Sequence, residues 1–305
     1  MKTINKETKF LIVGLGVMGA AYARILSQKG YTVYGITKER TDLEYALEKK
    51  YIQKGDTEPT DELLKQADIV ICALHPHVLL SWIEKNQYRL AKDALITDVT
   101  GVKGGVVGQI QEMLRSDLEF VAVHPMAGRE GSGIVMSEGV SFEQANYIIV
   151  PTACNTLEGL AAAKELGSIL GFAHIAFLDV DTHDEMIAFL SQLTHCIAVA
   201  LMTCRDCEHM TAYTGDSFRD LTRIARINDE MWSELFLINK DKLIKQMDLF
   251  IEEMTRMRDL LQKGDRDGLR DMMRRSTARR ALFDKPENDS VVHLTEKIKE
   301  NEKEN

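Results

Sequence analysis

Apolar residues fall in short runs over the first half of the chain and at helical spacing over the second. Residues 10–13, 33–36, 69–74, 95–99, 120–123, 147–150 and 174–177 each read as a short, largely apolar strand of the kind buried on both faces of a parallel sheet. Helical patterns lie between most of them, at 18–29 (ended by Gly30), 42–49, 60–66, 103–114 and 161–170. This βαβ rhythm predicts an α/β Rossmann domain, a doubly wound parallel sheet, over residues 1–180. From Thr182 the pattern changes to long helices. Thr182-His183-Asp184-Glu185 reads as a capping box. The helix it opens passes through Met186, Leu190, Leu193, Ile197 and Leu201 to about Met210, is apolar on nearly every side, and is expected to be central and buried. A second long helix is predicted after Asn228. Its residues Leu243, Met247, Phe250, Met254, Met257 and Leu261 alternate steps of four and three, a seam that calls for another helix against it, from this subunit or a second. A further helix covers 265–283. The expected organisation is therefore a Rossmann domain, an all-α domain over 181–285, and a polar tail over 286–305.

Composition narrows the partners. The 305 residues suggest two domains, and 45% are apolar, enough for a large core. Asp and Glu outnumber Lys and Arg, 47 against 38, for a net charge of −9. That argues against nucleic acid or an anionic membrane as the main partner, and leaves a small anionic substrate possible through local arginines. The polar first eight residues give no expectation of a secretory leader, and no contiguous apolar run approaches the roughly 18 residues of a membrane span. Five cysteines, odd and sparse, fit reduced thiols and a cytoplasmic location.

The first strand leads into Gly14-Leu15-Gly16-Val17-Met18-Gly19, a dinucleotide fingerprint between a strand and a helix. Gly14 makes the tight turn, Gly16 lets the backbone approach a pyrophosphate, and Gly19 lets helix and strand pack closely. Val17 and Met18 bring helix-start amides to the phosphates, and Leu74, at the end of another strand, is assigned to the same crevice. Cofactor choice is set after the second strand, where an acidic residue would bind the ribose 2′-hydroxyl of NAD. Thr37 stands at that position, followed by Lys38 and Arg40, a set suited to a 2′-phosphate. The expectation is NADP, with NAD as the alternative, since Glu39 interrupts the set.

His124-Pro125-Met126-Ala127-Gly128 follows the strand at 120–123. A histidine at the carboxyl end of such a strand points into the ligand crevice, and a neutral imidazole takes a hydroxyl proton near pH 7. His195 lies on the long apolar helix, where a core histidine bonded to a neighbouring helix is as reasonable as a ligand contact. Arg219 and Arg223, four apart, share a helix face; Arg223 sits among apolar neighbours and calls for an anion, either Asp220 or a carboxylate ligand. Cys204-Arg205-Asp206-Cys207 lies in a predicted helix without a second ligand pair, so no metal is expected.

These motifs, together with Asp98-Val99-Thr100-Gly101-Val102-Lys103, the His183-Asp184 pair, Ser191-Gln192-Leu193-Thr194-His195, Phe218-Arg219-Asp220-Leu221-Thr222-Arg223-Ile224-Ala225 and Met231-Trp232, stand in the order seen in prephenate and arogenate dehydrogenases. The resemblance spans about residues 9–262. It implies oxidative decarboxylation of prephenate to 4-hydroxyphenylpyruvate with hydride transfer to NAD(P), in tyrosine biosynthesis. It implies that His124 accepts the hydrogen bond of the ring hydroxyl, Arg223 binds the ring carboxylate, and His195 orients the substrate. The helical domains would pair into a homodimer, with Trp232 approaching the neighbouring site.

The chain departs from the family at four places. Gly101 stands where a serine is frequent, and Thr100 is the candidate replacement. Arg129 follows Gly128 in place of a threonine and is a candidate for the substrate side-chain carboxylate. Asp216 and Ser217 interrupt a glycine loop, and Asp216 would suit the ammonium of arogenate. Gln192 and Thr194 replace His and Pro before His195. Arogenate dehydrogenase is therefore one alternative. A β-hydroxyacid dehydrogenase, which shares the glycine fingerprint but uses a helix-borne lysine, is another, and a non-catalytic cofactor-binding regulator is the third.

Overall fold

The computed structural model describes residues 3–127, 131, 133–206 and 208–284. The first part runs β1 (Lys9–Val13), α1 (Val17–Gln28), β2 (Thr32–Ile36), α2 (Arg40–Glu48), β3 (Lys54–Asp56), α3 (Asp61–Leu64), β4 (Ile69–Cys72), α4 (Pro76–Asn86), β5 (Leu95–Asp98), α5 (Val107–Met113), β6 (Glu119–Met126), β7 (Asn146–Val150), α6 (Leu157–Leu170) and β8 (His174–Phe177). The eight strands form one sheet in the order β3-β2-β1-β4-β5-β6-β7-β8. The first six are parallel and in doubly wound order, with the reversal between β1 and β4.

Period-two alternation divides the core between the two faces of this sheet. Phe10, Ile12, Ile69, Ile71, Val121 and Val123 face one side, under Tyr22 and Leu26 of α1 and Leu166 of α6. Leu11, Val13, Val70, Cys72, Phe120 and Ala122 face the other, under Leu64, Leu79, Ile83 and Ile110 of α3, α4 and α5. Two features were not foreseen. β3, Lys-Gly-Asp, has no apolar run to announce it. β7 runs antiparallel to β6, and β8 is parallel to β7. Between β6 and β7 the described residues contain only a 3-10 turn, Ile134–Gly139, in place of an α-helical crossover, so the chain returns in the opposite direction.

The helical part begins with α7 (Val180–Ile187), a π-helical turn Ala188–Gln192, and α8 (Leu193–Thr203). The cap is Asp179 rather than Thr182: Asp179 Oδ1 accepts from the Thr182 amide at 3.0 Å, and the Thr182 hydroxyl donates to Asp179 Oδ2. The helix ends at Thr203, short of Met210. It is not buried on every side within the chain: Met186, Phe189, Leu190 and Met202 are exposed. By length and composition Val180–Thr203 matches a membrane span, which short apolar runs did not suggest. Then come α9 (Asp216–Thr222), a 3-10 turn Arg223–Ala225, α10 (Asp229–Ile238, capped by Asn228), α11 (Lys240–Lys263) and α12 (Arg266–Arg280, capped by Asp265). The chain divides into two compact units, Met1–Gln246 and Met247–Asn305. Along α11, Leu243 is buried and Met254 and Leu261 are exposed.

Candidate active site

The site begins where β5 ends. Asp98, its last residue, is fully buried, and so is Lys103. Lys103 Nζ donates to Asp98 Oδ2 at 2.6 Å and to the Val123 carbonyl at 2.6 Å, while Asp98 Oδ1 accepts from the Val123 amide at 3.0 Å. The β5–β6 ladder stops at Thr97 and Val121. Side chains thus satisfy both backbone groups of Val123 where the two strands part, and fix the residue after it, His124.

His124 is only half buried at the strand end. Its Nδ1 lies 3.0 Å from His183 Nε2, and His183 Nδ1 lies 2.7 Å from Asp184 Oδ1. Asp184 is anchored in turn by the amides of Lys103 and Gly104, at 2.9 and 2.6 Å. Burial pushes the His124 pKa well below the ordinary imidazole value, and His183 and Lys103 push it the same way. His183 is also lowered by burial, against the opposing pull of Asp184. The other ring nitrogen, His124 Nε2, faces Gly101: a Cβ added there would sit 3.9 Å from Nε2 and 3.6 Å from Leu235 Cδ1. Leu235 is one turn beyond Trp232 on α10, and the Trp232 ring stacks on His195 of the same chain, with centroids 3.8 Å apart. α10 therefore carries Leu235 to the His124 side and Trp232 to the His195 side.

His195 Nδ1 lies 2.8 Å from the Ser191 carbonyl, so Nδ1 carries a proton. Ser191 belongs to the π turn, a local widening of the helix common at functional positions. Gln192, in the same turn, donates to the Leu235 carbonyl and accepts from Asn239, which also donates to the Asp184 carbonyl. Gln192 thus ties α7, the π turn and α10 together, while Thr194 bonds only the Ser191 carbonyl of its own turn. Arg223 is exposed and opens the 3-10 turn that packs on α8, the helix bearing His195. The Thr100 hydroxyl is turned inward, donating to Asp98. Asp216 pairs with Arg219 at 3.0 Å. Arg129, Gly128 and Cys207 lie outside the described residues.

The glycine turn fits a dinucleotide. Gly14 has φ of +93°, and a Cβ on it would come within 2.3 Å of the Ala73 carbonyl. A Cβ on Gly19 would come within 1.8 Å of the Gly14 carbonyl, so helix and turn are in direct contact. Gly16 by contrast is exposed, and a Cβ there would meet nothing within 4 Å: an open face beside the start of α1, where Val17 and Met18 are half buried. Leu74 borders Gly14. After β2, Thr37 is buried and its amide bonds Asp56, Lys38 is exposed, and Arg40 pairs with Glu44 at 3.2 Å. Beyond β4, the His77 amide and Nδ1 bond the Glu234 carboxylate at 2.8 and 2.9 Å, so the start of α4 is tied to α10.

In the sequence His183, Asp184, Asp98 and Lys103 stand out only as motif residues; the structure brings them together around His124. The available signal was charge: a Lys-Asp pair and a His-Asp pair next to strand and helix ends are expensive to bury unless they serve each other.

Two family models match the chain: prephenate dehydrogenase, nucleotide-binding domain, over residues 22–173, and prephenate dehydrogenase, dimerization domain, over residues 179–275. A prephenate dehydrogenase of Bacillus subtilis is 27% identical over 273 residues, 87% of this chain and 72% of that protein. A cyclohexadienyl dehydrogenase of Zymomonas mobilis is 26% identical over 281 residues, 89% of this chain and 94% of that one. The crystal structure of prephenate dehydrogenase from A. aeolicus, in complex with hydroxyphenyl propionate and NAD+, superposes with a TM-score of 0.81 at 26% identity, covering 93% of this chain and all of that one.

Proposed function

The chain belongs to the prephenate dehydrogenase family, and from that premise we propose that it oxidises prephenate to 4-hydroxyphenylpyruvate and carbon dioxide. The observation that carries the reading is His124: an imidazole near the carboxyl end of β6, with Nδ1 occupied by His183 and Nε2 turned to the gap at Gly101. A nicotinamide dinucleotide held on the glycine turn supplies the hydride acceptor. His124 Nε2 takes the ring hydroxyl proton as hydride leaves the same carbon. Loss of the ring carboxylate as carbon dioxide aromatises the ring, and the proton returns to the phenolate oxygen. Desolvation keeps His124 deprotonated at neutral pH, so it is ready as a base without prior proton loss.

Arg223 is assigned to the ring carboxylate and His195 to orientation, with Trp232 flat against it to limit its ring positions. Arg129 is assigned to the side-chain carboxylate. NADP is the preferred cofactor, because Thr37, Lys38 and Arg40 follow β2 where an acidic residue would select NAD. The exposed apolar residues of Val180–Thr203 and the seam of α11 support a homodimer, which would cover them with a second copy. The same match from residue 179 makes a subunit interface the better use of that apolar helix than a membrane.

Initial rates with prephenate and arogenate, each against NAD and NADP, test the reading. Turnover of prephenate at least tenfold more efficient than arogenate is expected, with NADP preferred. Turnover of neither substrate would overturn it.

A further inference from the structure

The two side chains behind His124, His183 and Asp184, fix where its proton sits. Asp184 is nearly buried, and burial alone would raise its pKa. Hydrogen bonds from His183 and from the Lys103 and Gly104 amides outweigh this and hold it below the usual carboxylate value. An ionised carboxylate has no proton to give, so across the 2.7 Å contact His183 Nδ1 is the donor. His183 is neutral at pH 7, since burial lowers its pKa. Its single proton is on Nδ1 and its Nε2 is a bare acceptor. Across the next contact, 3.0 Å, His124 Nδ1 must therefore donate. His124 is neutral as well, so its Nε2 is bare, and that is the nitrogen facing Gly101 and Leu235.

We propose that His183, held by Asp184, is a positioning residue that locks His124 in the one tautomer able to accept a proton at Nε2. The proposal rests on the reading of His124 as the proton acceptor. The two backbone amides on Asp184 set the polarity of the whole row, because they accept no proton and leave the carboxylate as the only terminal acceptor. The groups facing His183 are consistent with this: Asp184 on its own helix, His124 from β6, and the buried Asp98 and Lys103 from the end of β5 and the loop after it. Protonation of His124 at Nε2 strengthens its Nδ1–H bond to His183, since the donor becomes charged.

Glutamine can reproduce the polarity of His183, its amide NH2 donating to Asp184 and its carbonyl accepting from His124 Nδ1. Phenylalanine can do neither. The test combines imidazole 15N NMR of the full chain at pH 7 with steady-state kinetics of His183→Phe and His183→Gln. In the unmodified protein His124 is expected to show a protonated Nδ1 and a bare Nε2. His183→Phe should let the Nε2–H form appear and lower kcat on the order of 10²-fold or more, with KM changed less than about threefold. His183→Gln should restore the tautomer and bring kcat within about tenfold of the unmodified enzyme. A proton on His124 Nε2 in the unmodified protein, or an unchanged kcat in His183→Phe, would overturn the proposal. The NMR result needs no substrate and no variant, so it decides the matter even if His183→Phe does not fold or prephenate is not turned over. A locked tautomer combined with full activity of His124→Asn would instead refute the acceptor reading and leave the lock standing.

Discussion

Lys103→Met removes one half of an ion pair that is closed to solvent on both sides. Methionine keeps most of the side-chain volume, so little cavity is created and the loss is electrostatic. The ammonium makes three contacts: Asp98 Oδ2 and the Val123 carbonyl at 2.6 Å each, and the Thr100 hydroxyl at 3.2 Å. Breaking a buried pair by deleting one partner costs about 3–5 kcal/mol. Asp98 retains the amides of Thr100 and Val123 and the Thr100 hydroxyl as donors, which places the expected loss near the lower end, about 3 kcal/mol. Equilibrium urea unfolding of the full chain, followed by the fluorescence of Trp82 and Trp232, measures it. Adding Asp98→Asn removes the uncompensated charge while keeping an acceptor for the Val123 amide. The double variant should therefore be at least about 1 kcal/mol more stable than Lys103→Met alone. Because Val123 precedes His124, Lys103→Met should also lower kcat. A stability loss below about 1 kcal/mol, or a double variant weaker than the single, would refute the view that this pair anchors the strand end.

Gly19→Ala forces a Cβ to within 1.8 Å of the Gly14 carbonyl, so the turn must move; cofactor Kd by calorimetry should rise at least about tenfold, and an unchanged Kd would remove the turn from the cofactor site. Gly101→Ser, by contrast, meets only Leu235 at 3.6 Å and brings a hydroxyl beside His124 Nε2. Stability should change by less than about 0.5 kcal/mol and KM for prephenate should fall severalfold, whereas a raised KM would count against substrate lying there. His124 and His183 both have folded pKa values below the unfolded value of roughly 6.5. Above that pH neither state binds the proton, and below it the unfolded chain does so first. The contribution of these two groups to stability is therefore flat above about pH 6.5 and falls with acidification, by about 1.4 kcal/mol per pH unit for each histidine until the folded form also protonates. A urea midpoint that rises between pH 6.5 and 5.5 would contradict this.

Much of the architecture could be read from periodicity, because strands buried on both faces leave continuous apolar runs, as at Phe10 to Val13 and Phe120 to Val123. β3 could not, since a three-residue edge strand buries too little to leave a pattern. The reversed β7 follows a long connection whose described residues hold only a 3-10 turn, which no local propensity encodes. The start of α7 was misplaced by three residues because Asp179 and Thr182 are both good caps, and Asp179 wins by accepting from the amide and hydroxyl of Thr182. His124 was legible from the apolar run before it, although β6 continues past it to Met126. His183 and Asp184 were legible as residues but not as a row behind His124, because their alignment depends on how α7 lies against β6 and the amides at Lys103 and Gly104. The exposed apolar side of Val180–Thr203 is not legible, because apolar residues all round a helix do not say which of them the rest of the chain covers.

The most direct measurement is single-turnover hydride transfer from prephenate, followed by reduced-nicotinamide absorbance, in the unmodified enzyme and in His124→Asn at saturating cofactor. A drop in the transfer rate on the order of 10²–10⁴, with cofactor Kd unchanged, is the result expected if Nε2 takes the hydroxyl proton. A His124→Asn enzyme that transfers hydride at the unmodified rate would show that the proton leaves by another route.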